Sequence, residues 1–205
     1  MRSPSPSPVI VRHDLHREGP AFRLRPVAND DAAYIVDLRA RGGPYINRGA
    51  TNAAEQREWL ARYFEREGDF CFVVEARRNA RREGVVGIYD VRDGTAEWGR
   101  FVLEPRSHAA IETALLVYDV AFGDLALERI RCRTLAANAK VVAFHDSCGL
   151  VRAQDAATIA HDGVPARAVE HWMMRDAWPR AREQLGRLAK RTADAIARVS
   201  PAPSP

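Results

Sequence analysis

The stretch that most constrains the fold is residues 96–150, which reads as strand, turn, long helix, strand and short helix. Residues 96–103 are rich in strand-forming side chains, and Pro105 ends the strand because proline lacks the N–H that a ladder needs. Residues 109–127 place apolar side chains at helical spacing, and residues 130–135 alternate as a second strand. Two strands joined by a long crossover helix form a βαβ unit, whose strands run parallel.

The turn between the first strand of this unit and its helix is a candidate anion site. At such a turn, backbone N–H groups and the helix N-terminus point at solvent, an arrangement that favours a phosphate group. Ser107 can cap the helix, and Arg106 can add a charge-assisted contact. These residues predict that the turn binds a phosphorylated ligand.

Motifs around this turn resemble the GNAT superfamily of acyl-CoA N-acyltransferases. Asn138, His145 and Gly149 match the family segment N-x-x-x-x-x-x-[YH]-x-x-x-G, and the opening LRP-x-x-x-x-D-A resembles the family's first strand and helix. The family's turn pattern is [QR]-x-x-G-x-[GA], whose glycines let the backbone approach a pyrophosphate. In the best ungapped fit, His108 stands at the first glycine position and Ala110 at the second. The resemblance spans residues 22–178.

The resemblance implies an α/β fold, with a mixed, mostly antiparallel twisted sheet, a central βαβ unit and helices on both faces. An antiparallel strand pair with a turn at Asp162-Gly163 is predicted to close the sheet. Outside the βαβ unit the predicted elements are strand 22–27, a helix from residue 29, helix 52–67, and strands 70–76, 85–91, 150–154 and 168–174.

The chain divides into one domain with extensions at both ends. Residues 1–20 are rich in Ser and Pro near their start and are predicted to be disordered, as are residues 200–205. Residues 21–178 are predicted to form the acetyltransferase domain. Residues 179–199 are predicted to form a basic amphipathic helix beyond the family's usual core. We expect this extra C-terminal helix to be separable from catalysis, either docking on the domain or pairing with a second copy in a homodimer.

Composition narrows the classes of function. The chain has 205 residues and a formal charge of +4, and its arginines are scattered among acids, so we expect no nucleic-acid partner. No apolar run is long enough to span a bilayer and no signal-peptide apolar segment is found, so we expect no membrane association. Cys71, Cys132 and Cys148 lie in apolar segments, which predicts buried reduced thiols in a cytoplasmic protein. No Cys/His cluster indicates a metal.

The resemblance implies acetyl-CoA as co-substrate. In the family, the first strand of the βαβ unit splays from its neighbour, and the backbone groups freed in this way bind the thioester and the pantetheine. A family asparagine, which Asn138 matches, forms a hydrogen bond with the pantetheine arm. Asn138 could instead cap the following helix, and both roles are compatible. The matching cofactor-binding positions are Val102, Leu103, Arg106, Ser107, His108, Ala109, Ala110 and Asn138.

Amide formation from a thioester requires that the amine lose a proton, the oxyanion be stabilised and the leaving thiolate be protonated. The resemblance assigns Glu97 as the base and His145 as the acid. The alternative for Glu97 is a surface glutamate paired with Arg100 or Arg92. The alternative for His145 is a helix histidine packed on the core.

The acceptor side is predicted to contain Tyr45, Asn47, Arg48 and Trp98. Aromatic side chains there would stack on a sugar or base, and Arg48 would suit a phosphate. The resemblance favours transfer of acetyl to a small-molecule primary amine, that of an amino sugar linked to a nucleotide or destined for a surface polysaccharide. A protein N-terminus or an aminoglycoside is the enzymatic alternative. Because the turn lacks its first glycine, a GNAT-like module that binds a ligand without turnover is a further alternative.

Overall fold

One mixed β-sheet runs through the computed structural model, which describes residues 10–199. Within these residues the sheet has nine strands in the order β1-β2-β3-β4-β5-β6-β9-β7, and β8 pairs with β9. The elements are β1 Arg17–Glu18, β2 Phe22–Pro26, α1 Ala32–Ala40, α2 Ala53–Phe64, β3 Phe70–Ala76, β4 Arg82–Arg92, β5 Thr95–Leu103, α3 Ala110–Asp119, β6 Arg129–Leu135, α4 Ala139–Ser147, β7 Val151–Arg152, β8 Ala157–His161, β9 Val164–Met174 and α5 Trp178–Val199. The predicted α/β fold with a mostly antiparallel sheet is confirmed.

The parallel pair β5–β6 is short, and the two strands separate beyond it. Their register runs from Thr95↔Arg129 to Glu97↔Arg131 and then stops, whereas β5 stays paired with β4 as far as Leu103. A bulge in β5 at Arg100, whose φ is +51°, increases the local twist. One edge of residues 98–103 therefore has no strand partner among the described residues, which is the splay that the βαβ unit was predicted to contain.

The crossover helix α3 is buried on nearly every side, since the sheet covers one face and α5 covers another. After Asp119 the chain continues through a π-helical turn at Val120–Asp124. The predicted helix 109–127 therefore corresponds to an α-helix followed by this π-helical turn. The Glu112 carboxylate accepts hydrogen bonds from the backbone N–H groups of Ala21 and Phe22, at 2.9 and 2.7 Å. This contact fixes the start of β2 to the first turn of α3.

The C-terminal helix α5 forms part of the main hydrophobic core. Leu185 is 1% exposed and Ala189 is fully buried, and the Trp178 ring packs on those of Tyr118 and Phe122 at centroid distances of 5.3 and 5.8 Å. Of the two arrangements expected for this helix, docking on the domain is the one observed, since its apolar face covers α3. Its basic face remains exposed to solvent.

The structured part of the chain begins before residue 21. Residues 10–20 were predicted to be disordered, yet they contain β1 and an isolated bridge between Val11 and Ala28. The His13 ring also packs on Phe72, with ring centroids 4.8 Å apart. The disorder predicted for residues 1–9 and 200–205 lies outside the described residues.

Strand β8 was missed, and the turn at Asp162 was paired with the wrong strand. That turn joins β8 to β9, while β7 pairs with β9 separately through Val151 and Arg152. Residues 157–161 alternate small and weakly apolar side chains, and this pattern is too weak to predict a strand. The β8–β9 hairpin reaches the predicted acceptor loop, where Asp162 contacts Asn47 and Arg48.

Candidate active site

A cleft of about 780 Å³ opens where β5 and β6 separate. Its walls come from α1, the α1–α2 loop, α2, β4, β5, β6, α4 and β8. The structure thus brings together most of the predicted catalytic and acceptor residues from distant parts of the chain. Those that line the cleft are Tyr45, Asn47, Arg48, Glu97, Trp98, Val102, Asn138 and His145.

The turn that follows β5 lies outside this cleft, with Leu103 at its start and Ala110 at the first residue of α3. The backbone N–H of Ser107 donates to the Glu104 carbonyl at 3.0 Å. The hydroxyl of Ser107 accepts from the N–H of Ala109 at 3.2 Å, just ahead of the helix. The N-cap residue of α3 is Ala109, and no side chain caps the first helical turn, so the predicted cap by Ser107 is not found.

The turn has two exposed side chains, those of Arg106 and His108. Arg106 has a φ of +66°, the left-handed conformation that glycine adopts most easily. Backbone N–H groups at the start of α3 together with a free guanidinium are a suitable donor set for a diphosphate. The residues present at the turn therefore fit the phosphates of acetyl-CoA.

Glu97 is buried, at 4% exposure, and both of its carboxylate oxygens are engaged. The Tyr89 hydroxyl donates to Oε1 at 3.0 Å. Arg131 and Arg133 on β6 donate to Oε2 at 3.1 and 2.8 Å. The glutamate thus lies in a network with two arginines of the neighbouring strand, and the alternative pairing with Arg100 or Arg92 is not found.

Arg100, at the bulge of β5, pairs instead with Asp69 through two contacts of 2.5 and 3.0 Å. Its guanidinium lies 4.4 Å from the Tyr89 ring centroid and 5.4 Å from that of Trp59. These cation–π contacts fix the positions of Arg100, Tyr89 and Trp59, which line the cleft beside Glu97. The sequence analysis missed Arg100, although an arginine inside an apolar strand was a usable signal.

His145 is 4% exposed and contacts the edge of Trp98, with ring centroids 5.3 Å apart. Burial lowers the pKa of His145 to about 4, and the neighbouring His171 contributes in the same direction. The imidazole is therefore uncharged at neutral pH. Its Nδ1 atom is buried with no hydrogen-bond partner among the described residues.

Trp98 and Asn138 support the site in different ways. The Trp98 side chain is 1% exposed, and its indole N–H donates to the Tyr118 hydroxyl at 3.1 Å. We therefore interpret Trp98 as a support for His145 rather than as an acceptor contact. Asn138 caps α4 by accepting from the Val141 N–H at 3.4 Å, and it also faces the cleft.

At the acceptor end of the cleft, hydrogen bonds connect the α1–α2 loop to the β8–β9 hairpin. The Arg48 N–H donates to Asp162 Oδ1 at 2.6 Å, and the Asp162 N–H donates to Asn47 Oδ1 at 3.0 Å. His161 Nε2 lies 3.1 Å from the Pro44 carbonyl oxygen. Asn47 and Arg48 therefore shape this end of the cleft partly through backbone and amide contacts.

Arg39, in the last turn of α1, is a half-buried cation in the cleft wall that the sequence analysis missed. Its guanidinium donates to the Asn47 carbonyl, and burial lowers the pKa of Arg39. Within residues 10–199 it forms no ion pair with a carboxylate. Because Arg39 has no carboxylate partner there, its remaining guanidinium N–H groups can donate to an anionic ligand.

No group of three or more His, Cys, Asp or Glu side chains within residues 10–199 is placed to hold a metal ion. The three cysteines are buried and unpaired, as predicted. No helix in the described part of the chain is long and apolar enough to cross a membrane.

A splayed parallel strand pair, an amide-lined turn and a cleft between them define an acyl-CoA-dependent transferase fold. The family model described as the acetyltransferase (GNAT) domain matches residues 22–151, which is more than half of the chain. The chain therefore belongs to the GNAT acetyltransferase family and is an N-acetyltransferase. The family uses acetyl-CoA as its co-substrate.

Solved structures with the same fold carry different descriptions. The apo form of FdhC, described as a nucleotide-linked sugar GNAT, has a TM-score of 0.74 and 23% identity, covering 85% of this chain and 98% of its own. A variant of the spermidine N-acetyltransferase SpeG from Vibrio cholerae has a TM-score of 0.66 and 18% identity, covering 77% and 95%. A GCN5-related N-acetyltransferase from Brucella melitensis has a TM-score of 0.72 and 17% identity, covering 89% and 88%. Among curated protein sequences no significant match is found.

Proposed function

We propose that this enzyme transfers acetyl from acetyl-CoA directly to the primary amine of an anionic amino sugar, either linked to a nucleotide or serving as a surface-polysaccharide precursor. The observation that carries the proposal is the charge of the cleft wall. Four arginines line it, whereas Glu97 is its only lining carboxylate among the described residues. Three of the four pair with a carboxylate, Arg133 with Glu97, Arg100 with Asp69 and Arg48 with Asp162, so Arg39 is the cation of the wall that has no ion pair within residues 10–199. The four are Arg39, Arg48, Arg100 and Arg133.

This charge distribution separates the candidate acceptors. Spermidine and aminoglycosides are polycations, and like charges in a cleft disfavour their binding. A phosphate or diphosphate is attracted to the same wall, and Arg39 has donors free for it. Tyr45, which is 42% exposed and lines the cleft, offers an aromatic surface for a sugar or base. FdhC, the nucleotide-linked sugar GNAT, supports the same class of acceptor, whereas SpeG supports the polyamine class.

The reaction requires two protons to leave the amine nitrogen. An ammonium and acetyl-CoA yield an amide, a thiol and one proton, so one proton goes to solvent and one to sulfur. For the first we propose Glu97, because Oε1 receives only the Tyr89 hydroxyl among the described donors and has a lone pair for a bridging water. For the second we propose His145, which lines the cleft and protonates the departing thiolate.

Replacing Arg39 by glutamine is expected to raise the KM for an anionic acceptor by about tenfold to a hundredfold, the equivalent of one charge-assisted hydrogen bond. The kcat at saturating acceptor should change little, since Arg39 lies away from the reacting atoms. Arg57→Gln is the matched control, because Arg57 is exposed on α2 and does not line the cleft. Steady-state kinetics on both variants with a nucleotide-linked amino sugar would contradict the proposal if Arg39→Gln left the KM unchanged.

Thiol release with a panel of amines tests the proposed function as a whole. A nucleotide-linked amino sugar should be acetylated with a higher kcat/KM than spermidine, an aminoglycoside or a peptide with a free N-terminus. Preference for a polyamine would refute the charge argument. Stabilisation of the protein by acetyl-CoA without turnover of any amine would favour a ligand-binding module.

The turn after β5 is proposed to bind the pyrophosphate of acetyl-CoA, chiefly through backbone amides. Arg106→Ala is expected to weaken acetyl-CoA binding by about 1–3 kcal/mol, the size of a charge-assisted contact, and the effect should shrink as salt is added. His108→Gly should leave binding unchanged or improve it, since glycine restores the family's backbone freedom there. Calorimetry with acetyl-CoA checks both. Weaker binding by His108→Gly would show that the imidazole itself contacts the co-substrate.

A further inference from the structure

The α1–α2 loop folds over the guanidinium of Arg39, the cleft cation that forms no ion pair in the described part of the chain. The guanidinium donates to the Asn47 carbonyl. A Cβ atom built on Gly49 would lie 2.9 Å from Nε and 3.2 Å from Nη2 of Arg39. Those atoms and Cζ are the three nearest to it, so the space that a side chain at position 49 would fill is taken by the guanidinium. Glycine at this position therefore permits the close contact between the loop and Arg39.

Hydrogen bonds from the β8–β9 hairpin hold this loop. The Asp162 N–H donates to Asn47 Oδ1 at 3.0 Å, and the Arg48 N–H donates to Asp162 Oδ1 at 2.6 Å. The Arg48 Nε atom also lies 3.5 Å from Asp162 Oδ2. His161 Nε2 lies 3.1 Å from the Pro44 carbonyl oxygen. The hairpin thus fixes the part of the loop that contacts the guanidinium.

The backbone of Arg39 is fixed as well, because it lies in the last turn of α1 and its carbonyl accepts from the Gly42 N–H at 3.0 Å. Burial lowers the pKa of Arg39 while the charge of Asp162 opposes this shift, and an arginine still remains charged at neutral pH. Arginine has a long, flexible side chain, and a ligand that must order such a side chain binds more weakly because rotamer freedom is lost. A guanidinium that the protein already holds in place avoids part of this loss.

We propose that Asn47, Gly49 and Asp162 are positioning residues that hold the Arg39 guanidinium ready for the phosphate of the acceptor. This inference rests on the proposed function, in which the acceptor is anionic. Asn47 and Gly49 place the guanidinium directly, and Asp162 fixes the loop that carries them. The positioning acts on acceptor binding, so its loss should raise the KM for the acceptor and leave the kcat at saturation nearly unchanged.

Gly49→Ala tests the position of Arg39 with the smallest possible change. The atoms nearest to the added methyl group are the end of a flexible side chain, and the φ of Gly49 is not positive, so the guanidinium moves and the fold remains. Gly43→Ala is the matched control, since it is the same change in the same loop at a position where a Cβ atom has nothing within 4 Å. The acceptor KM should rise about threefold to tenfold in Gly49→Ala, the equivalent of one hydrogen bond, and stay at the wild-type value in Gly43→Ala.

Calorimetry extends the test to binding without turnover. Uridine diphosphate, a nucleoside diphosphate that has no amine, is titrated into protein saturated with CoA, so that the co-substrate site is already occupied. Arg39→Gln is expected to weaken its binding about tenfold to a hundredfold. Gly49→Ala and Asn47→Ala should each weaken it about threefold to tenfold, but neither should weaken it further when added to Arg39→Gln. Such non-additivity shows that both residues act through Arg39.

Two results would overturn the inference. One is equal binding by Gly49→Ala and Gly43→Ala, and the other is a loss from Gly49→Ala or Asn47→Ala that persists in full in the Arg39→Gln background. Failure of the proposed function gives a different result. Wild-type protein that binds no uridine diphosphate, or binds it equally after Arg39→Gln, would refute the anionic acceptor itself.

Discussion

Replacing Glu97 by glutamine is expected to lower turnover by about tenfold to a thousandfold, which is the range for loss of a general base. Glutamine has nearly the same size and can still accept the Tyr89 hydroxyl, but it cannot take a proton from a bridging water. Acetyl-CoA affinity should change little, because Glu97 lies in the cleft wall and not at the turn after β5. Thiol release and calorimetry on one preparation give both quantities.

The same substitution also removes a negative charge beside Arg131 and Arg133, so a structural effect must be separated from a catalytic one. Glu170→Gln is the matched control. Glu170 lies 3.6 Å from Arg131 and does not line the cleft. Its loss should reduce thermal stability without a comparable loss of kcat. Unchanged turnover of Glu97→Gln from about pH 6 to about pH 9 would remove Glu97 from the proton transfer.

The βαβ unit and its motifs could be predicted from sequence because each depends on local periodicity. The strand ending before Pro105, the crossover helix and the strand at residues 129–135 lie where alternation and helical spacing placed them. Gly149, the last residue of the family segment, follows α4 with a φ of +82°, the left-handed conformation that is common just after a helix end. Alternation and helical spacing each predict a single strand or helix, without its neighbours in the fold.

The partners of the site residues could not be predicted in the same way. The alternative to a catalytic Glu97 was a pairing with arginines near it in sequence, but Arg100 lies at a bulge and pairs with Asp69. In the parallel register Glu97 lies opposite Arg131, so its partners come from β6. Strand register depends on the packing of the whole sheet, which local spacing does not encode.

Long-range contacts explain the remaining omissions. Asn47 and Asp162 meet although 115 positions separate them in the chain, and His171 and Asp146 are 25 apart. Nothing in the sequence around Asn47 or His171 indicates that Asp162 or Asp146 is its partner. Arg39 was overlooked for a related reason, since a basic residue in the last turn of a helix is common and usually only complements the helix dipole.

Truncation after Trp178 is expected to yield an insoluble or unfolded protein, because α5 covers the face of α3 that faces away from the sheet. Leu185 and Ala189 are part of the same apolar cluster as Tyr118 and Phe122. Removing the helix would expose that cluster to water, and domains of this size are stable by only about 5–15 kcal/mol. A soluble, acetyl-CoA-binding truncated protein would instead show that α5 is an accessory element.

A pair of point substitutions on α5 measures the same contribution without deleting the helix. Leu185→Ala is expected to lower the free energy of unfolding by about 2–5 kcal/mol, since Leu185 is 1% exposed and its removal leaves a cavity against α3. Leu188→Ala makes the identical chemical change one turn along the helix, where the side chain is only half-buried among Gln184, Arg187 and Arg191. This substitution should lower the free energy of unfolding by about 1 kcal/mol or less, because folding buries less apolar area at Leu188 than at Leu185.

Urea unfolding curves of the two variants, compared with the wild type, give both values. Equal losses would mean that the two faces of α5 are buried alike and that an unseen partner, such as a second copy of the chain, covers the outer one.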